Sequence, residues 1–404
     1  MVTATVTKKR SHTTTPSRRK TGPVRSMPLK TPPRIIIAAG GTGGHVYPAI
    51  SIAEAVREKY PHARVHFVGT KNHIEWKAVP EAGFNISSLW ISGFHRRFTL
   101  KNLIFPLKLI SSLLKSRHIL NSIKPELVVS CGGYAAGPIG WVAAQREIPI
   151  VIQEQNSYPG ITNRLLAKYA DKIFTAFEQA KQYLPAEKVV LTGNPTRKEL
   201  AKVDPDEAFN HFQFDPDRPV LLVLGGSGGA RSINDAMIEQ LHQLHDELGL
   251  QIIWQCGKRY LDYVKTRVHA IDYKNLRLMA YIDRMDFAYH VAGLVISRAG
   301  AGTCSELMNT GNACVLIPSP YVAENHQHKN ASAMVEEGAA VLLEDHEASH
   351  KLAEIVGKLI KDEHELERMR KAALALARPN AAGDIADQIE QLIAKKRSEQ
   401  NTLA

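Results

Sequence analysis

Cysteine is scarce in this sequence, and long hydrophobic runs are missing. The 404 residues include four cysteines, none of which forms a C-x-x-C pair or lies at zinc-binding spacing from a histidine. We therefore expect free thiols in a reducing compartment rather than a disulfide framework or a zinc site. No run of 18 apolar residues occurs, so the pattern predicts no membrane-spanning helix.

Acidic residues are absent from the first 33 positions, which hold eight Lys or Arg. The net charge of the chain is +11, and only +3 of it lies beyond residue 33, so the basic balance does not indicate a nucleic-acid partner. The segment is rich in Thr, Ser and Pro and lacks the apolar core of a signal peptide. We predict a disordered basic tail over residues 1–33, with a transit peptide or a true start at Met27 as alternatives.

Short apolar runs alternate with amphipathic stretches beyond this tail. The amphipathic stretches include Ala49–Lys59 and Ile233–His242. The candidate strands are Arg34–Ala38, Val65–Val68, Leu127–Ser130, Ile148–Ile152, Val220–Leu224, Ile252–Gln255, Leu294–Ser297 and Cys314–Ile317. This alternation predicts an α/β fold in which helices cover parallel sheets.

Two glycine clusters divide the chain into similar halves. Gly40–Gly44 follows the first strand, and Gly225–Gly229 follows a second such strand 185 positions later. We expect each loop to open a helix, in two Rossmann-like domains over residues 34–196 and 197–378. The remaining residues, 379–404, include a helical pattern that either completes the second domain or, as we favour, packs back on the first.

Both glycine loops lack the fingerprints of the common nucleotide sites. Neither reads G-x-G-x-x-G or G-K-[ST], and the second strand ends at Val68-Gly69-Thr70 without an acid for a ribose. We therefore expect no NAD, no P-loop ATP site and no cofactor. Two Rossmann-like domains without these fingerprints are typical of the GT-B nucleotide-sugar glycosyltransferases.

The D-x-D sequences that often bind a metal in glycosyltransferases occur here only around prolines. They are Asp204-Pro205-Asp206 and Asp215-Pro216-Asp217, which read as turns, so we expect no metal site. Without a metal, a leaving diphosphate needs helix dipoles, backbone amides and an arginine. Arg197 and the loop Gly225–Gly229 are the candidates.

Seven ordered blocks resemble one family. They are GGTGGHVYPAI (40–50), CGGYAAGPIG (131–140), QEQNSYPGITNRLLAKYA (153–170), GNPTR (193–197), GGSGGARSIN (225–234), RAGAGTCSE (298–306) and ENHQHKNA (324–331). In this order and spacing the chain resembles the MurG family from about Arg34 onward. The resemblance implies a GT-B fold and inverting transfer of GlcNAc from UDP-GlcNAc to the muramyl 4-hydroxyl of lipid I. The product is lipid II, the precursor for peptidoglycan synthesis and thereby for cell shape and division.

The resemblance also implies which residues bind the substrates. Those that match the family's UDP-GlcNAc contacts are Thr42, Gly43, Gly44 and Asn156 near the sugar, Arg197 and Ser227 at the diphosphate, Ile282 at the uracil, Ala301, Gly302 and Thr303, Glu306 at the ribose and Gln327 at the sugar hydroxyls. The acceptor diphosphate is expected at Gly40, Gly41, Gly132, Gly133 and Tyr134. Two positions depart from the family: Gln153 replaces a frequent histidine, and His326 replaces the first of two glutamines.

An inverting displacement needs a base that removes the proton of the acceptor hydroxyl. Our first candidate is His45, because a helix N-terminus keeps an imidazole neutral. Glu154 is the alternative base. A non-catalytic role of His45, in binding the acceptor diphosphate or in capping the loop, also stays open.

A basic segment without acids surrounds an apolar one. Residues 82–125 contain seven Lys or Arg and no Asp or Glu. Lys101, Lys108 and Lys115 recur at heptad spacing, and we expect them on one helical stripe, with a second, apolar stripe at Leu103, Leu107, Ile110 and Leu114. This pattern predicts peripheral docking of residues 95–118 on the anionic cytoplasmic face of the cell membrane, where the resemblance places lipid I and other cell-wall synthesis proteins. A core-packed helix with a solvated basic face is the alternative.

Two other functions compete with this interpretation. Another GT-B transferase could make a glycolipid from a UDP-sugar, although the blocks GGTGGH and EQNSYPGITN favour the MurG family. A non-catalytic nucleotide-sugar binding protein is disfavoured, because Arg197, Ser227, Glu306 and Gln327 are all retained.

Overall fold

The computed structural model describes residues 29–93, 103–196, 200, 203–226, 228–268 and 274–403. Most of the basic tail, the basic residues at 96, 97 and 101, Arg197 and Ser227 lie outside the described residues. Residues 29–33, which we assigned to the tail, pack on the first domain: the Leu29 N–H donates to the Tyr60 hydroxyl at 3.0 Å. These five residues therefore contact the first domain.

The first domain is built on a parallel sheet with strand order β3-β2-β1-β4-β5-β6-β7. Its described strands are β1 (Arg34–Ala38), β2 (Arg64–Thr70), β3 (Asn85–Leu89), β4 (Leu127–Ser130), β5 (Ile150–Glu154), β6 (Lys172–Thr175) and β7 (Val189–Leu191). The helices around it are α1 (Gly43–Lys59), α2 (Glu75–Glu81), α3 (Phe105–Ile123), α4 (Ala136–Ala144) and α5 (Ile161–Leu166). The strand order reverses direction at β1 and β4, and such a switch point is where open α/β sheets bind ligands.

The second domain repeats this plan with strand order β10-β9-β8-β11-β12-β13, again parallel. Its described strands are β8 (Val220–Leu224), β9 (Gln251–Gln255), β10 (Leu276–Met279), β11 (Leu294–Ser297), β12 (Cys314–Leu316) and β13 (Ala340–Leu342). The helices are α6 (Pro205–Phe212), α7 (Arg231–His242), α8 (Leu261–Val268), α9 (Met285–Val291), α10 (Ala301–Thr310), α11 (His326–Glu336), α12 (Ala348–Lys361) and α13 (Glu363–Leu376). The predicted α/β fold of two Rossmann-like domains is confirmed.

Sequence patterns found the central strands and missed the outer ones. All eight candidate strands are present, with ends that differ by at most two residues. Four of the five strands we did not propose, β3, β7, β10 and β13, form the edges of the two sheets. Polar residues interrupt β3 (NISSL) and β10 (LRLM), and β7 and β13 are only three residues long, so these edge strands give a weaker sequence pattern than most central ones.

The last helix, α14 (Ala381–Leu403), returns to the first domain. Its Ile385, Ile389 and Ile393 are buried in the same core cluster as residues of β1 and α1. Polar contacts hold it there as well: the Arg397 guanidinium donates to both oxygens of Glu126, at 2.7 and 3.0 Å. The two domains are therefore connected twice by the chain.

Candidate functional site

The two glycine loops leave the carboxyl ends of β1 and β8, as the sequence predicts, but they differ in how they meet their helices. Helix α1 begins at Gly43, so the last two glycines form its first turn. Helix α7 begins only at Arg231, so its glycines precede the helix, with Gly226 and Gly229 at positive φ. The N–H groups of an N-terminal helical turn have no partner in the helix and favour an anion.

A second glycine pair packs against the first loop. Gly132 and Gly133 have φ of +99° and +85°, a region that favours glycine. A Cβ at Gly133 would lie 2.4 Å from the Gly40 carbonyl oxygen, and one at Gly132 would lie 3.0 Å from His45 Nε2. The structure thus brings the acceptor-site candidates Gly40, Gly132 and Gly133 together around His45. Exposed Tyr134 lies beside Gly93.

The imidazole of half-buried His45 is oriented by the loop that precedes it. Its Nδ1 lies 3.2 Å from the Gly40 carbonyl oxygen and 3.2 Å from Thr42 Oγ1. A carbonyl can only accept, so Nδ1 carries the proton and Nε2 has a free lone pair. Burial has the largest effect and lowers the pKa of His45; the hydrogen bond to the Gly40 carbonyl raises it, and the smaller electrostatic effects of His326 and Glu75 lower and raise it, respectively. The imidazole is therefore neutral near pH 7, as a base requires.

Both carboxylate oxygens of Glu154 accept hydrogen bonds from residues that follow it closely in the chain. Its Oε1 accepts from the Asn156 N–H and Nδ2, and its Oε2 accepts from the Gly160 N–H and Asn163 Nδ2, at 2.8–3.2 Å. The side chain is buried, and burial raises the pKa of Glu154. Four donors on two oxygens leave no lone pair for a substrate proton, so these contacts favour His45 over Glu154 as the base.

A buried carboxylate that we did not predict lies behind the first glycine loop. Glu75, fully buried on α2, accepts from the Thr70 N–H and hydroxyl at 2.9 and 2.8 Å and from the Gly41 N–H at 3.1 Å. Its carboxylate lies against Thr70, the last residue of β2, where a dinucleotide-binding fold places its ribose-binding acid. We expected Gly41 at the acceptor diphosphate, but its N–H already donates to Glu75. The N–H groups of Thr42, Gly43 and Gly44 are the better anion donors.

In the second domain, several predicted UDP-GlcNAc residues surround the start of α10. Ala301, Gly302 and Thr303 form its first turn. Glu306 lies one turn further, where the Tyr289 hydroxyl donates to its Oε2 at 2.9 Å. This arrangement places anion-binding N–H groups and a carboxylate suited to a ribose diol on one helix.

Two predicted contacts of the second domain are occupied within the protein. Ile282 is 1% exposed in the domain core, and its N–H donates to Gln255 Oε1 at 3.0 Å, so it leaves little surface for a uracil. The Gln327 Oε1 accepts from the Ser319 N–H at 2.9 Å, which leaves its amide nitrogen for a sugar hydroxyl.

The domains meet through Asn330, a buried amide on α11. Its Oδ1 accepts from the Ser157 N–H and hydroxyl at 2.9 and 3.0 Å, and its Nδ2 donates to Asn156 Oδ1 and the Ala299 carbonyl, both at 3.2 Å. All four hydrogen-bonding positions of the amide are used. Asn156, a predicted sugar contact, is thereby tied to the domain that carries Glu306 and Gln327.

We expect Asn330→Ala to lower kcat by about 100-fold, because it removes three cross-domain hydrogen bonds worth about 1 kcal/mol each. UDP binding, measured by calorimetry, should change little, since the variant leaves α10 intact. The matched control is Asn380→Ala, an exposed amide that bonds only to Asp384 within the described residues. Unchanged kcat in Asn330→Ala would show that this cross-domain contact does not limit the reaction.

The two D-x-D sequences serve as a helix cap and a turn. Asp204 accepts from the N–H groups of Asp206 and Glu207, at 3.0 and 3.4 Å, and caps α6. Asp215 accepts from the Asp217 N–H at 3.0 Å. In the described part of the chain, no cluster of three or more His, Cys, Asp or Glu side chains is arranged to hold a metal ion.

Two parallel Rossmann-like domains, which carry an oriented imidazole and a carboxylate suited to a diol, define a glycosyltransferase of the GT-B class. The model of the glycosyltransferase family 28 N-terminal domain matches residues 35–175, and that of the family 28 C-terminal domain matches residues 220–389. The chain belongs to glycosyltransferase family 28 and, within it, to the MurG family.

Two similar proteins carry the same name. The protein is 47% identical over 365 residues to the UDP-N-acetylglucosamine–N-acetylmuramyl-(pentapeptide) pyrophosphoryl-undecaprenol N-acetylglucosamine transferase of Christiangramia forsetii. The aligned region covers 90% of this chain and 98% of that protein. The same transferase of Flavobacterium psychrophilum is 43% identical, over 90% of this chain and 99% of that protein.

Solved structures agree in fold. MurG of Acinetobacter baumannii superposes with a TM-score of 0.72 at 27% identity, over 88% of this chain and 99% of that chain. The calicheamicin glycosyltransferase CalG4 superposes with a TM-score of 0.64 at 18% identity, over 90% and 99% of the two chains, and supports the GT-B fold alone.

Proposed function

We propose that this enzyme transfers GlcNAc from UDP-GlcNAc to the muramyl 4-hydroxyl of lipid I, with inversion, and so makes lipid II. The observation that carries the proposal is the orientation of His45. Its Nδ1–H is held by the Gly40 carbonyl, and its Nε2 lone pair lies beside Gly132. An acceptor hydroxyl placed there would lose its proton to Nε2 as its oxygen attacks the anomeric carbon.

The other half of the reaction is departure of UDP from the anomeric carbon. The N–H groups that open α10 and the loop Gly225–Gly229 are suited to the developing diphosphate charge, and Arg197 and Ser227 complete this set as predictions outside the described residues. Glu306 would hold the ribose and Gln327 the sugar hydroxyls. Thr42–Gly44 and Asn156 would approach the sugar from the acceptor domain.

The experiment is transfer of radiolabelled GlcNAc from UDP-GlcNAc to lipid I, or a short-chain analogue, by the full chain in the presence of EDTA. We expect labelled lipid II and one UDP for each transfer. Diacylglycerol offered as the acceptor tests the competing glycolipid transferase. Transfer to that acceptor but not to lipid I, or transfer only after a divalent metal is restored, would contradict the proposal.

The acceptor is lipid-linked, and helix α3 supports docking of this enzyme on a membrane surface. The side chains of Leu107, Ile110 and Leu114 are 59%, 56% and 66% exposed, whereas Ser112 and Ser116 of the same helix are fully buried. A helix that meets only water places its apolar side chains inside, so this reversed pattern favours contact with lipid. None of the described helices is long and apolar enough to cross a bilayer.

The basic stripe is less regular than the heptad spacing suggested. Lys108 turns toward the protein, where its Nζ donates to Ser92 Oγ at 2.9 Å, while Lys115 is exposed. Lys108 also lies 5.9 Å from the ring centroid of half-exposed Trp90. We infer that Lys115 and the apolar stripe contact the headgroups and acyl chains of the cytoplasmic leaflet, while Lys108 fixes the helix.

The triple variant Leu107→Ser, Ile110→Ser, Leu114→Ser should lower binding to phosphatidylglycerol-containing vesicles at least about 10-fold, because three apolar contacts with lipid are lost. Its melting temperature and its turnover of a water-soluble lipid I analogue should stay unchanged, since the three side chains are exposed. Leu374→Ser, an exposed leucine of the second domain, is the control. Vesicle binding equal to that of the wild type would exclude this surface.

A further inference from the structure

The buried carboxylate of Glu75 and the imidazole of His45 are joined through a single peptide group. The Gly41 N–H donates to Glu75 Oε2 at 3.1 Å, and the Gly40 carbonyl accepts from His45 Nδ1 at 3.2 Å. This N–H and this carbonyl belong to the same peptide unit, between residues 40 and 41. Hydrogen bonds therefore connect the carboxylate, the peptide group and the imidazole in series.

We propose that Glu75 is a positioning residue for His45. In an ordinary carboxylate–histidine pair the carboxylate accepts directly from the imidazole, whereas Glu75 acts through the Gly40–Gly41 peptide. The inference rests on the proposed function of His45 as the base. A carboxylate that accepts from the N–H of a peptide polarises it, so the carbonyl of that peptide becomes a stronger acceptor. The Nδ1–H tautomer of His45 is thereby held, and the imidazolium formed during the reaction is stabilised.

The surroundings of Glu75 are built for a carboxylate in this one position. Three donors point at its two oxygens, from Gly41 and from the N–H and hydroxyl of Thr70. A Cβ at Gly40 would lie 2.6 Å from Glu75 Oε1, and a Cβ at Gly69 would lie 2.7 Å from its Cγ. Two of the neighbouring glycines therefore make room for the side chain. Among the described residues, no Lys or Arg forms an ion pair with it.

The groups that set the charge of His45 come from three sides. Glu75 of α2 lies behind the loop, His326 approaches from the second domain, and the Gly40 carbonyl holds Nδ1. Glu75 opposes both burial and His326, which lower the pKa of His45. Removal of the Glu75 charge should therefore make His45 a weaker base.

The test is Glu75→Gln in the full chain, with two readouts. Nitrogen NMR of histidine-labelled protein reports the tautomer and pKa of His45, whose signals are those missing in His45→Gln. We expect the pKa of His45 to fall and the Nδ1–H tautomer to lose population, because the charge of Glu75 favours the protonated imidazole. The acid limb of kcat/KM should move to lower pH by the same amount, and its plateau should fall about 10- to 100-fold, as when other partners that orient an imidazole are removed.

Two further variants separate this role from simple support of the loop. Glu81→Gln removes an exposed carboxylate from the same helix and should change neither readout. Thr70→Val removes one hydrogen bond to Glu75 but keeps its charge, so the tautomer and pKa of His45 should be retained.

An unchanged tautomer and pKa of His45 in Glu75→Gln would overturn the proposal, even if activity fell. An equal shift of the His45 pKa in Thr70→Val would also overturn it, since the charge would then not matter. Full activity of His45→Ala would instead refute the base assignment, and the NMR shift in Glu75→Gln would still establish the coupling through the peptide.

Discussion

His45→Ala should lower kcat by about three orders of magnitude while the affinity for UDP stays unchanged. The size follows from the usual contribution of a positioned general base, about 100- to 10,000-fold. The residue belongs to the first domain, whereas the carboxylate and helix N-terminus expected to bind UDP belong to the second. Turnover with saturating UDP-GlcNAc and a short-chain lipid I analogue measures the first quantity, and calorimetry with UDP measures the second.

A matched control for this variant is His66→Gln. His66 is a partly buried histidine of β2 in the same domain, and its Nε2 lies 2.8 Å from Ser87 Oγ. Burial lowers the pKa of His66, as it lowers that of His45, but His66 is not among the site residues. We expect near-wild-type kcat for His66→Gln. If His45→Ala also turned over at a near-normal rate, His45 would have no part in the proton transfer.

Glu306→Ala should raise KM for UDP-GlcNAc about 100-fold with a smaller change in kcat. A carboxylate that accepts from two ribose hydroxyls makes charge-assisted hydrogen bonds, and the loss of about 2.7 kcal/mol corresponds to this factor. The Tyr289 hydroxyl orients the carboxylate from α9, at 2.9 Å from Oε2. Tyr289→Phe should therefore produce a change in KM of the same sign and smaller size.

Deoxygenated ligands make this prediction specific to the ribose. UDP should bind more weakly to Glu306→Ala than to the wild type, whereas 2′,3′-dideoxy-UDP should bind the two proteins about equally. This is a double-mutant cycle between the carboxylate and the diol. If the variant weakened both nucleotides by the same factor, Glu306 would not contact the ribose hydroxyls.

The sequence predicted those features that depend on a local pattern of residue types. Continuous apolar runs identified the central strands, and the clusters Gly40–Gly44 and Gly225–Gly229 identified the turns at the ends of β1 and β8. Family blocks then supplied candidate contacts such as Glu306 and Gln327. Such patterns are local, so they can be recognised without knowledge of tertiary structure.

Contacts between distant parts of the chain were not predictable in this way. Nothing in the sequence around Glu75 indicates that its side chain folds back on Thr70 and Gly41, because the ribose-binding pattern predicts an acid only at the end of β2 itself. The role of Asn330 between the domains depends on Ser157, 173 positions away. The apolar stripe of α3 was visible, but only the burial of Ser112 and Ser116 shows that the stripe faces outward.

The most direct test of the central claim, that His45 removes the acceptor proton, is the pH dependence of single-turnover transfer in wild type and His45→Ala. Burial lowers the pKa of His45, so the wild-type rate should rise with pH through an inflection below the ordinary histidine value of about 6.5 and then level off. His45→Ala should be slow and lack this inflection. An inflection retained unchanged in His45→Ala would contradict the account, since another group would then be the base.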